Sequence, residues 1–117
     1  MIAELKLISL ADHSSFESFV PEHPIDFVVE LRLSIGPMGG DAADSFSLTV
    51  CSPDWLRREC ASQGFVWRWD LLIVEEFNRV EIVQVLQRMV SRCVGETWDI
   101  VVAQLARRMQ WEFDTYA

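Results

Sequence analysis

The sequence predicts an α+β domain: a mainly antiparallel four-stranded sheet with about three helices packed on one face. Three observations carry this. Two segments, Phe27 to Ile35 and Ser45 to Cys51, alternate apolar and polar residues with a period of two. Three later segments open on capping residues, and two of them carry apolar stripes at helical spacing. The order runs strand, strand, strand, helix, strand, helix, helix. No repeat, low-complexity tract or linker interrupts residues 1–117, so the chain reads as a single domain.

Ala3-Glu4-Leu5-Lys6-Leu7 alternates and predicts a half-buried first strand. The polar stretch ADHSSFESFVPEHPID follows, with Pro21 and Pro24, and predicts a loop with a short turn around Phe16 and Phe19. In the second strand Phe27, Val29, Leu31, Leu33 and Ile35 share one face, and Val28, Glu30, Arg32 and Ser34 the other. In the third, Phe46, Leu48 and Val50 point inward. Between them runs IGPMGGDAAD. A phosphate loop places its glycines ahead of a helix and usually adds a lysine. Here Gly36, Gly39 and Gly40 lie between two strands, no lysine is present, and Asp41 and Asp44 repel phosphate. The stretch predicts a long hairpin connection.

Ser52 caps the first helix, Pro53 suits its first position, Asp54 favours the positive end, and Gly64 stops it. Phe65 to Val74 is aromatic and β-branched and predicts a fourth strand, with Trp67 and Trp69 in the core. Asn78 and Glu81 form a capping pair for a helix carrying Ile82, Val85, Leu86, Met89, Val90 and Cys93. Gly95 terminates it. Thr97 caps the last helix, whose stripe is Trp98, Val101, Val102, Leu105 and Met109. Trp111 lies off that stripe, in WEFDTYA. Either Trp111 and Phe113 fold back over the sheet, or these aromatics join the neighbouring acids in a contact patch.

The net charge is −8 and is unevenly placed. Residues 1–56 hold nine acids against Lys6 and Arg32, while residues 57–117 nearly balance. Such a chain repels nucleic acid and acidic membrane surfaces and attracts basic partners. No apolar run approaches the roughly 20 residues that span a bilayer. Glu4 stands where a signal peptide carries positive charge, so the expectation is a cytoplasmic, unprocessed protein. Cys51, Cys60 and Cys93 form no C-x-x-C pair and sit in apolar patterns, which predicts buried, reduced thiols.

Catalytic patterns are weak. His13 and His23 lie ten residues apart in a loop, short of a zinc ligand set. No serine stands in a nucleophile elbow, and Glu75-Glu76 are adjacent residues that face opposite ways on a strand. The reading is no enzyme, no metal and no cofactor.

Taken in order, AELK, PEHPIDF, IGPMGGDAADSF, VCSPDWL, CVGETW and WEFDTY resemble the eighth immunity protein family of bacterial polymorphic toxin systems, from Ala3 to Tyr116. The resemblance implies an antidote that binds and neutralises a cognate toxin domain, with no catalytic residues to transfer. Charge adds that the toxin is basic, for example a nuclease. The candidate contact residues are Asp12, Glu17, Glu22 and Asp26 in the first loop, Asp41 and Asp44 in the second, and Trp111, Glu112 and Asp114 at the C-terminal end. If the two loops lie at related ends of the sheet, they form one acidic surface. The alternative is a non-catalytic interaction or scaffold domain unrelated to toxins.

Overall fold

The structure, a computed structural model, describes residues 1–113. In chain order the elements are β1 (Ala3–Leu10), β2 (Val28–Pro37), β3 (Asp44–Cys51), α1 (Pro53–Gln63), β4 (Leu71–Ile73), α2 (Arg79–Ser91), α3 (Trp98–Leu105) and β5 (Gln110–Trp111). The class is α+β, as predicted.

β1, β2 and β3 form an antiparallel meander. Val29, Leu31 and Leu33 stand opposite Val50, Leu48 and Phe46, so period-two alternation places all six on one buried face. Against that face α2 packs Ile82, Leu86 and Val90, and α3 packs Val101, Val102 and Leu105. Fully burying side chains of this size contributes about 1.5–3 kcal/mol each. The other face carries Glu30, Arg32 and Ser34 opposite Thr49, Ser47 and Ser45.

β1 departs from its simple alternation. The register skips between Leu5 and Leu7, leaving Lys6 as a bulge. Leu5 pairs with Ile35 on the core side, and Ile8 and Leu10 regain that side opposite Leu33 and Leu31. Leu7 is turned to the other face and is 63% exposed.

The sheet is mixed. β4 pairs with β3 in parallel, and α1, with no buried residue of its own, lies in the connection between them. Parallel neighbours need a crossover of a dozen or more residues, and Ser52 to Asp70 provides it. The predicted fourth strand is cut to three residues. Gly64 ends α1 at φ 89°, and Arg68 then fastens the following segment by donating to Asp70 at 3.2 Å and to Oγ1 of Thr49 at 2.6 Å. Pairing therefore starts only at Leu71. Trp67 and Trp69 are not core residues: they are 89% and 46% exposed.

A fifth strand was not foreseen. β5 pairs with β3 at Phe46 and Ser47, so Trp111 folds back against the core, while Phe113 remains exposed. The three predicted caps are present: Ser52, Asn78 and Thr97 accept from the backbone N–H groups of Trp55, Glu81 and Ile100. Ser52 also accepts from Phe27 N–H at 3.0 Å, tying α1 to the start of β2.

The loop between β1 and β2 is held from inside. Phe16, Phe19 and Phe27 ring Phe77 edge-on, with centroids 6.2, 5.6 and 5.4 Å away. Arg79 donates to the carbonyls of Phe16 and Phe19 and lies over the Phe16 and Phe77 rings. Cys51 and Cys93 are buried free thiols, but Cys60 is exposed on α1, whose sides all reach solvent.

Candidate interaction surfaces

The sequence-predicted contact residues fall into separate places. In a meander, successive connections lie at opposite ends of the sheet. The first loop leaves β1 at Leu10, beside Leu31; the second leaves β2 at Pro37, beside Ala3. β2 spans ten residues, so about 30 Å separates the two ends. The structure does not bring the two acidic loops together.

In the first loop, Glu17 and Glu22 are exposed; the Glu17 N–H donates to Ser15 Oγ at 3.1 Å, and neither carboxylate has a hydrogen-bond or ion-pair partner among the described residues. Asp12 is exposed but closes a tight turn: its Oδ1 accepts from Ser14 N at 3.0 Å and from Ser14 Oγ at 2.5 Å. The Ser14 hydroxyl, and then its amide, hold the Asp12 carboxyl below its ordinary range. Asp26 is engaged by Arg58 at 2.7 Å.

In the second loop, Asp41 is exposed at the tip, whereas Asp44 is built into the fold. Its Oδ2 accepts the indole N–H groups of Trp98 at 3.1 Å and Trp111 at 3.2 Å. Trp98 opens α3 and Trp111 belongs to β5, so one carboxylate fastens both to the start of β3. Asp44, placed with Asp41 in the second loop from the sequence, is instead the first residue of β3 and only partly exposed: the two tryptophans need an acceptor where they meet the sheet, and Asp44 provides it. Glu112 is also engaged, accepting from Ser45 N at 3.0 Å through Oε1 while its own N–H donates to the Ser45 carbonyl at 3.0 Å. Asp114 lies outside the described residues.

Gly36 shapes the second loop. A Cβ there would stand 1.9 Å from the Ala42 carbonyl oxygen, so the loop closes back onto the strand only because this residue has no side chain. Lys6, from the bulge of β1, donates to the Gly40 carbonyl on the same loop.

Sequence reasoning missed where the positive charge gathers. The near balance of residues 57–117 hides a division of labour. Arg57, Arg58 and Arg68 pair with Asp54, Asp26 and Asp70. Arg88, Arg92, Arg107 and Arg108 form no ion pair among the described residues and line a single groove. The available signal was their position at the ends of two predicted helices. Among the described residues no cluster of three or more His, Cys, Asp or Glu could hold a metal ion, and no helix is long and apolar enough to cross a membrane.

No curated protein and no solved structure matches the chain. One protein-family model does, that of immunity protein 8, over residues 3–116. All eight elements described above fall within that span, and the chain belongs to the immunity protein 8 family.

Proposed function

We propose that this protein is the antidote of a toxin–antidote pair, and that it neutralises a cognate toxin domain by binding it, without catalysis. The observation that carries this reading is the family match over residues 3–116. The charge supports a basic toxin domain, such as a nuclease, as the partner: a net charge of −8 favours encounter with a cation and disfavours nucleic acid and acidic membrane. The antidote acts in the cytoplasm, where the producing cell needs protection.

The free acids Glu17, Glu22 and Asp41 supply attraction before contact from two ends of the sheet. Such steering raises association rates about tenfold to a thousandfold and is screened over about 8 Å at physiological salt. The test has two parts. Co-expression with the toxin domain should restore growth, and the purified pair should form a complex. Asp41→Lys, and separately Glu17→Lys with Glu22→Lys, should slow association in stopped flow and flatten its salt dependence. Failure of the wild-type chain to bind or to rescue overturns the reading. Unchanged rates and salt slopes would move the steering charges elsewhere.

A further inference from the structure

A groove of about 600 Å³ opens between α2, the residues that end α3, and the sheet edge at β4. Its floor is hydrocarbon: Leu48 and Leu72 from the sheet, Leu86 and Met89 from α2. Its rim carries Arg88, Arg92, Arg107 and Arg108, and neither aspartate nor glutamate lines it. All four arginines are exposed.

Helix ends explain why arginines stand here but not why there are four. Arg88 lies in the last turn of α2 and Arg92 at its C-cap; Arg107 and Arg108 follow the last residue of α3. Gln104 draws the two ends together, accepting from Val94 N at 3.1 Å and donating to the Val94 carbonyl at 2.7 Å. Each helix C-terminus amounts to about half a negative charge. Two of them offset only about one of the four guanidinium charges, leaving roughly +3 around an apolar floor. That excess sits on a chain whose net charge is −8.

The chemistry of the ligand follows from the two halves of the groove. A phosphate backbone would meet the arginines but leave Leu48, Leu72 and Met89 against water, and the net negative charge opposes it. An apolar ligand would fill the floor and leave the guanidiniums idle. A peptide segment with an apolar side chain between carboxylates satisfies both, because arginine binds carboxylates through paired N–H donors. β5 runs from Ser47 towards Ser45, away from Leu48, and no described residue beyond Arg108 lines the groove.

We propose that this groove is the docking site for an acidic, apolar-centred segment of the toxin domain, its apolar side chain entering over Leu48, Leu72 and Met89 and its carboxylates meeting the four arginines. This rests on the antidote reading above. A basic toxin with one such segment would be drawn in by the acidic loops and seated by the groove.

The experiment compares wild type with Arg88→Glu/Arg107→Glu, and with Arg57→Glu/Arg58→Glu as a control of equal net charge on α1. Circular dichroism first establishes that each is folded. Calorimetry against the toxin domain should show affinity weakened about a hundredfold or more by the groove reversal, and by less than about threefold by the control. A second arm uses a labelled peptide, Glu-Glu-Leu-Phe-Glu-Glu, and its all-lysine counterpart. The acidic peptide should raise anisotropy with wild type, less so at high salt, and should not bind the groove variant. If wild type binds the toxin and rescues growth while the groove reversal does both equally well, the docking site is overturned and the antidote reading stands. If wild type binds no toxin, the antidote reading falls, and the peptide arm alone decides the groove: absence of acidic-peptide binding overturns it too.

Discussion

The carboxylate of Asp44 receives the indole N–H of Trp98 at 3.1 Å, joining the first residue of β3 to the first residue of α3. The same oxygen receives Trp111. Three elements distant in sequence therefore meet on one acceptor, and none of the three residues is fully exposed.

Asp44 should thus be a stability residue. Hydrogen bonds to a charged group contribute about 1.5–3 kcal/mol, and partial exposure argues for the lower end. Asp44→Ala is expected to cost about 2 kcal/mol in urea unfolding, and Asp44→Asn about half of that, since its amide oxygen still accepts. Asp41→Lys, on the exposed loop tip, should stay within about 0.5 kcal/mol of wild type. Equal midpoints for Asp44→Ala and wild type would show that the two indoles find another acceptor.

Gly36→Ala should be among the costliest single methyl additions in this chain. The new Cβ meets backbone, the Ala42 carbonyl at 1.9 Å, and the loop cannot yield by rotating a side chain. A loss of about 1–3 kcal/mol or more is expected. At Gly40 the same change meets only the Pro37 carbonyl at 3.5 Å, an ordinary contact, and should be nearly neutral. Thermal melts of the two variants side by side decide the point.

The thiols should separate into one fast and two slow. An aromatic disulfide reagent is expected to modify Cys60 within seconds to minutes and to reach Cys51 and Cys93 only on unfolding. Burial pushes the Cys51 and Cys93 thiols up, opposed in part by Arg68 and Arg108. An acid whose native value is raised keeps a proton that the unfolded chain releases. The stability this gives is present below about pH 8.5, the ordinary thiol value, and is lost as pH climbs towards the raised native values. Melting temperature should fall between pH 8 and 10, and fall less in Cys51→Ala/Cys93→Ala.

Arg32 stands on the open face of the sheet between Ser9 and Ser47, and its Nε is buried without a hydrogen-bond partner among the described residues. A buried donor left unsatisfied costs about 1–3 kcal/mol. Arg32→Met keeps the packed stem and removes that donor, so stability should hold or rise by about 1 kcal/mol in urea unfolding. A clear loss would mean that the guanidinium is engaged in solution.

β2 and β3 were legible because one face is apolar and the other largely polar, so a period of two shows in the residues from Phe27 to Ile35 and again from Ser45 to Val50. The caps Ser52, Asn78 and Thr97 were legible because capping is a local interaction. What failed depends on distant partners. Ala3 to Leu7 alternates perfectly, yet Lys6 bulges to reach the second loop and reverses Leu7. Trp67 and Trp69 carry high strand propensity, but no neighbouring strand extends beside them, and Arg68 fixes the segment as a loop. β5 is two residues long and has no pattern to read. For the contact residues, charge showed which residues were acidic but not which acids were occupied: Asp26, Asp44 and Glu112 had partners across the fold.

The two margins of the sheet have a consequence for how the molecule behaves in a crowd. β1 is engaged at both ends of its outer side, by Ile2 with Val94 and Ser9 with Ser15, and Lys6 bulges between them. On the far side, β3 is covered by three residues of β4 and two of β5, split at Leu48. Among the described residues, an extended chain arriving from solution meets no long straight row of unpaired amides, the template on which fibrils and runaway stacking begin. Short, interrupted margins of this kind disfavour edge-to-edge stacking of copies and offer an added strand little to pair with.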